Sequence, residues 1–393
     1  MGDRGHGRPR SGLLPRNHAD DGTGYRTPNT MIDEILKHLE ALVAFDTRNP
    51  PRAIDGDGVF AYLLAQLPGF AHELRDHGAG AVSLLATRGR PTRVYNVHMD
   101  TVPVAEGWSQ DPFRLAVRDG RAIGLGACDI KGAAACLLAA AARTRGDAAF
   151  LFSSDEEAND ARCIAAFVKE HPEYTEAVVA EPTRGAAVLS HRGIVSAQAR
   201  FRGIPGHASA RRALGDSAVH RAVEWGAKAL AQVRALQDQG FGVLEGLPFN
   251  LGRIEGGIKG NVIAGSCEVR FGFRPLPSQS PDALLAMFRG MAAPAHLESF
   301  AELFRGPALP AGQGAVAATQ LAAGRELATR LGLPVAEAVD FWTEASLCSQ
   351  AGLAAIVFGP GDIAQAHAAD EWVELAQLEA VARHYARIID HGS

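Results

Sequence analysis

Cysteine is scarce in this chain. Its five residues, Cys128, Cys136, Cys163, Cys267 and Cys348, include no C-x-x-C pair, so neither a disulfide framework nor a zinc ribbon is indicated. No apolar run approaches the roughly 20 residues that a membrane-spanning helix needs. An excess of positive charge is missing too. Lys and Arg number 39 against 44 Asp and Glu, a net of -5, which gives no electrostatic case for nucleic acid or an anionic membrane. Residues 1–30 carry basic side chains but no apolar stretch of the secretory kind, so the cytoplasm is the expected compartment. The same leader lacks periodic apolar positions and is rich in Gly, Arg and Pro; disorder is expected there. Met31 opens MIDEILKHLEALVAF, with apolar residues at helical spacing, and is the expected start of the folded chain.

What is present is an ordinary globular composition, 47% hydrophobic and 21% charged, in a chain long enough for two domains. Between residues 31 and 188, strand-like runs (AVSLLAT, TRVYNVHM, AAFLF, EAVVAEP) alternate with helix-like ones (KGAAACLLAAAART, ARCIAAFVKEH). That alternation predicts an α/β domain with a mainly parallel sheet flanked by helices. From residue 189 to 304 the order changes to β-α-β-β-α-β, the pattern of a small inserted α+β module. Residues 190–300 hold 13 Lys and Arg against 8 Asp and Glu, a net of +5, which leaves the remainder at -10. A mildly basic lid over an acidic body is the simplest reading. Residues 305–393 then return to the first domain.

The stretch AAFLFSSDEEAND, Ala148 to Asp160, runs an apolar strand into three consecutive acids. Adjacent carboxylates repel, and beside a core they lose hydration, so something must compensate them. Other strand ends carry similar groups: VYNVHMDTVP with His98 and Asp100, GLGACDIKG with Asp129, and VVAEPT with Glu181; a further stretch near the C-terminus, GPGDIAQAHAADEWV, offers His367. Taken singly, each has an ordinary explanation: a structural histidine, a solvated acidic turn, an Asp helix cap. Together, at the carboxyl ends of strands in such a sheet, they form a mixed N/O donor set suited to zinc, cobalt or manganese. Two divalent cations set against three ligating carboxylates leave one positive charge, and the repulsion disappears.

At this point residues 31–393 resemble the di-metal aminoacyl hydrolases, the family that includes acetylornithine deacetylase, succinyl-diaminopimelate desuccinylase, carboxypeptidase G-type enzymes and aminoacylases. HMDTVP, the G-x-x-D-x-KG around Asp129, DEE, AEPT and GPGDIAQAH occur in family order; GPGDIAQAH and FWTEAS (Phe341 to Ser346) look most like the acetylornithine and acetylcitrulline deacetylase branch. The resemblance implies that Asp129 bridges two divalent ions, zinc or cobalt. His98 and Glu181 complete one set of ligands, Glu157 and His367 the other. It makes Asp100 the carboxylate that orients the His98 ring and Glu156 the general base. His207, in RGIPGHASA, matches the family histidine that stabilises the oxyanion, often from the partner of a homodimer formed through the lid. Arg211 and Arg212 stand just beyond, where the family more often has a proline. Asn261 and Arg274 match positions near the substrate carboxylate, and Thr343 and Glu344 are expected to border the pocket.

The implied reaction is removal of the acetyl group from an Nα-acetyl amino acid of arginine biosynthesis. A lid of net +5 suits the neutral ureido group of N-acetyl-L-citrulline better than the ammonium of N-acetyl-L-ornithine, which is the alternative. An aminopeptidase or dipeptidase on the same centre, and a non-catalytic binding homologue, are the competing expectations. Retention of Glu156 argues against the last.

Overall fold

The computed structural model describes residues 30–392; the expectation of disorder for the leader falls almost wholly outside them. The helix Met31–Val43 begins with a capping box, Thr30 Oγ1 accepting from the Asp33 N–H while the Asp33 carboxylate accepts from the Thr30 N–H.

A six-stranded sheet forms the body, in the spatial order Ala71–Asp76, Val82–Arg88, Ala148–Ser153, Arg93–His98, Glu176–Val179, Ala354–Val357. Only Val82–Arg88 runs against the other five. Alternate side chains of the buried strands feed two separate cores. Phe150 and Phe152 pack beneath the helices Met31–Val43, Lys131–Arg143 and Leu375–His391, while Ala149 and Leu151 pack against Arg162–Glu170 and Ala345–Gln350. Lys131–Arg143 is rich in alanine because it is enclosed: its residues from Lys131 to Ala141 are all buried. At Gly132 an added Cβ would lie 2.4 Å from the Ala127 carbonyl oxygen, so only glycine admits the preceding loop so close.

Two features have no apolar signature in the sequence. The edge strand Ala71–Asp76 (AHELRD) is largely exposed and charged. The three-stranded sheet of Ala116–Arg118, Arg121–Ile123 and Trp372–Glu374 is built from strands too short to show a period. This small sheet matters because it ties the returning chain after His367 beside the loop that carries Asp129.

The second sheet is antiparallel, in the order Phe249–Gly256, Ser266–Phe273, Ile194–Arg202, Leu297–Gly306. The helices Ala218–Arg234 and Pro281–Gly290 cover one of its faces, giving β-α-β-β-α-β in chain order. Trp225 anchors that core, donating from Nε1 to the Phe288 carbonyl (2.8 Å) with its ring 5.0 Å from that of Phe271. The opposite face, with Ser196, Gln198, Arg270 and Arg274, carries no helix among the described residues.

Burial sets one pH dependence. His38 is buried under Met31–Val43 with Nδ1 2.8 Å from the Tyr62 hydroxyl, and burial, assisted by Lys37, lowers its pKa from 6.5 to about 4. Between those values the unfolded chain binds a proton that the folded chain does not, so stability is lost as pH falls through this window, by up to about 3 kcal/mol. Urea midpoints at pH 7, 5.5 and 4.5 should fall progressively for the wild type and less steeply for H38N.

Candidate metal centre

Three strand ends deliver four of the groups. His98 closes Arg93–His98, Glu156 and Glu157 follow Ala148–Ser153, and Glu181 follows Glu176–Val179. His98 Nε2 lies 3.2 Å from Asp129 Oδ1 and 3.8 Å from Glu181 Oε1. His367 Nε2 lies 3.3 Å from Asp129 Oδ2 and 3.1 Å from Glu157 Oε1. The two triads thus share Asp129, one through each carboxylate oxygen, and the donor atoms within each triad lie within 4.8 Å of one another. That is the arrangement two adjacent divalent ions require of a bridging carboxylate. Two imidazoles and three carboxylates are donors that zinc and cobalt accept. The residues therefore fit a pair of such ions.

The electrostatics point the same way. Burial pushes Glu156 well above the usual carboxylate range, with Glu157, Glu181 and Asp100 adding to the rise, and Glu181 rises likewise from burial and Asp129. Hydrogen bonds to Asp129 and Glu157 raise His367 to about 10. With protons alone to balance it, the cluster retains protons on groups that would be bare in water. Cations would relieve that cost.

A second acidic group shows the contrast. Glu73, Glu170 and His171 also lie close enough to share an ion, but Arg75 pairs with both carboxylates. There the compensation is a guanidinium. In the His98–His367 cluster no arginine or lysine pairs with Asp129, Glu157 or Glu181 among the described residues.

The three consecutive acids divide their work. Asp155 points inward and accepts from the Cys163 N–H (3.0 Å) at the start of Arg162–Glu170. Glu156 and Glu157 line a 330 Å³ cavity with Asp129, Glu181, His367 and Arg274. Asp100 is fully buried, and its part in orienting the histidine is more backbone than side chain. The His98 Nδ1 lies 3.0 Å from the Asp100 carbonyl oxygen, which leaves Nε2 facing Asp129, while the nearest Asp100 carboxylate oxygen is at 3.4 Å. That carboxylate accepts from Asn49 Nδ2 (2.9 Å) and from the Glu157 N–H (3.0 Å), so Asp100 steadies both sides of the cluster.

Of the expected substrate contacts, Arg274 reaches the cavity, where the charge of Glu156 faces its partly buried guanidinium. Thr343 and Glu344 do not border it. Both are buried behind the wall formed by Phe341 and Trp342, because the chain turns there into the helix Ala345–Gln350. Thr343 Oγ1 lies 3.0 Å from His191 Nε2, and Glu344 accepts from the Ser153 hydroxyl (2.9 Å). His207 and Asn261 do not line the cavity of their own chain either. They sit together on the lid, where Gly206–His207 pairs with Val262–Ile263 and the Ala208 N–H donates to the Asn261 carbonyl (3.0 Å). Just beyond, Arg212 pairs with Asp216 across the short helix Ala213–Asp216 that precedes the long lid helix.

One residue was not visible in the sequence. Glu371, which no sequence motif singles out, is buried, and its carboxylate accepts from the N–H groups of Gly126 (3.0 Å), Cys128 (2.9 Å) and Asp129 (2.9 Å). Its own carbonyl accepts from the Gly124 N–H (3.0 Å). It lies four residues past His367, so one side chain fastens the loop that carries Asp129 to the segment that brings in His367. His367 itself has φ 59, a left-handed conformation that this fastening helps to hold.

Residues 94–391 match the model of peptidase family M20/M25/M40, and the chain belongs to that family. It is 57% identical over 361 residues to an N-acetyl-L-citrulline deacetylase of Xanthomonas campestris pv. campestris, covering 92% of this chain and 98% of the relative. An acetylornithine deacetylase of Myxococcus xanthus is 32% identical over 90% of this chain and 96% of its own. Among solved structures, the aminopeptidase PepT of Bacillus cereus superposes with a TM-score of 0.69 at 19% identity, covering 92% and 99% of the two chains. The YXEP protein of Bacillus subtilis, described as a dinuclear metal-binding peptidase, gives 0.60 at 15% identity over 91% and 98%. At these identities the two structures establish the fold.

Replacing Glu371 with Ala should weaken divalent-metal binding by about 10- to 100-fold. Competition against a chromophoric chelator measures this directly.

Proposed function

We propose that the protein is a metal-dependent amide hydrolase that removes the acetyl group from N-acetyl-L-citrulline, acting in the cytoplasm in arginine biosynthesis. The observation that carries this reading is a carboxylate outside both donor triads, Glu156, facing the cavity that the triads line. A binding protein has no use for a general base in that position. The 57% identical relative supplies the substrate, and the relative at 32% keeps N-acetyl-L-ornithine as the competitor.

In this reading His98, Asp129 and Glu181 hold one divalent ion, and Asp129, Glu157 and His367 the other, with zinc or cobalt as the metals. When bound, such ions supply Lewis acidity towards the acyl oxygen and bring the pKa of a water down to about 7. Glu156 takes the proton of the attacking water and later returns it to the departing amine, a role that typically contributes about 10²–10⁴ in rate. Arg274 fixes the substrate carboxylate with its planar fork of donors. Residues 31–188 and 305–393 form the catalytic domain and 189–304 a lid through which two chains pair. His207 then stabilises the oxyanion, and Asn261 contacts substrate, in the partner's site. Their exposure away from their own cavity is what supports this arrangement.

E156Q should lower kcat for N-acetyl-L-citrulline by about 10²–10⁴ while two metal equivalents remain bound by elemental analysis. Full activity in E156Q would assign the hydrolysis to another group. H207A should lose about 10²–10³ in kcat. A mixture of E156Q and H207A chains, unfolded and reassembled together, should regain activity that neither has alone, since one of its two sites then holds an intact Glu156 and the partner's intact histidine. No recovery would place His207 in its own chain's site or outside catalysis.

A further inference from the structure

The cavity beside the donor cluster continues into a second space of 530 Å³ over the uncovered face of the lid sheet; the two share Asn159, Ile194 and Arg274. The sheet register gives this space a definite floor. Gly272 lies directly between Asn250 on one neighbouring strand and Ser196 on the other. Phe249, Leu251, Val195, Ala197, Phe271 and Phe273 point into the lid core, so Asn250, Gly272 and Ser196 belong to the opposite, open face.

With no side chain at Gly272, the row is a notch walled by an amide and a hydroxyl. Backbone conformation does not demand glycine there. Its φ lies outside the left-handed range, and an added Cβ would meet only the Val195 carbonyl oxygen, at 3.2 Å. Neither the Asn250 amide nor the Ser196 hydroxyl has a hydrogen-bonding partner among the described residues. Both are able to donate and to accept.

Arg274 stands two residues along the same strand, about 7 Å from the notch at the usual rise per residue. A side chain of five bonds from Cα to a terminal carbon spans about 6 Å when extended. The charges on this face are selective. Arg274 and Arg270 flank Gly272 on the same strand. The next carboxylate along that strand, Glu268, is engaged by Arg200 (2.9 Å), Arg270 (3.1 Å) and Gln198 (3.1 Å). An ammonium placed here would leave water without gaining a counter-charge, whereas a neutral urea-type group finds donors and acceptors.

We infer that the notch formed by Asn250, Gly272 and Ser196 is the subsite for the distal end of the substrate side chain, and that it selects a neutral ureido group over an ammonium. This rests on the deacetylase reading above. The test compares kcat/KM for N-acetyl-L-citrulline, N-acetyl-L-ornithine and N-acetyl-L-alanine, whose side chain cannot reach the notch. Ratios within one variant do not depend on how much of it folds. In G272V and N250A the citrulline-to-alanine ratio should fall about tenfold or more. In N250D, which adds a carboxylate, the ornithine-to-citrulline ratio should rise by a similar factor. Ratios unchanged in all three variants, or a common fall for all three substrates, would overturn the subsite while leaving the deacetylase reading intact. A wild type inactive on every N-acetyl amino acid would overturn both.

Discussion

Carboxylates buried next to one another are the constraint on which this structure turns. Asp129, Glu156, Glu157 and Glu181 meet at the ends of adjacent strands, with Asp100, Asp155 and Glu344 behind them. Like charges at such separations, with little water, cost several kcal/mol unless protonated or paired. Elsewhere on the same body Arg75 resolves a smaller version of the problem between Glu73 and Glu170. Around Asp129 the side chains that approach are imidazoles, which neutralise carboxylates only when protonated and ligate metals only when not. A pair of divalent ions would satisfy all five groups of the two triads at once; protons satisfy only some.

Much of the surrounding architecture serves to hold that cluster in register. Strands that run the same way put His98, the Asp155–Glu157 turn and Glu181 at the same, carboxyl end of the sheet without any long loop. Asp129 comes from a tight turn in which the N–H groups of Gly126, Cys128 and Asp129 converge on the Glu371 carboxylate, and His367 comes from the segment that Glu371 anchors. Asp100 links His98 to the backbone of Glu157. The site is thus fixed by buried hydrogen bonds to main chain, which leave its facing side free to open towards the lid. Arg274 joins from that lid, so the cavity is complete only when the two sheets face one another.

The sequence made the sheet legible because five of its six strands are apolar runs and because polar groups following such runs mark strand ends. His98, Glu157 and Glu181 were legible as candidate ligands for the same reason, whereas Asp129 and His367 lie in turns and were legible only through the order of the motifs. What escaped notice follows a different physics. Ala71–Asp76 is an edge strand whose exposed charges hide its pairing. Nothing in the sequence marks Glu371, because its partners are backbone N–H groups, which carry no residue signature. Thr343 and Glu344 share a motif with Phe341 and Trp342, and sequence spacing does not tell which members of a turn face the cavity and which lie beneath it. Asp155 was indistinguishable from its neighbours until the helix it caps was in place.

Crystals grown with zinc and measured on both sides of its absorption edge address the central claim directly. The account predicts two anomalous peaks per chain, about 3.5–4 Å apart, one on each oxygen of Asp129. Peaks lying only at Glu73, Glu170 and His171, or none within the His98–His367 cluster, would contradict it.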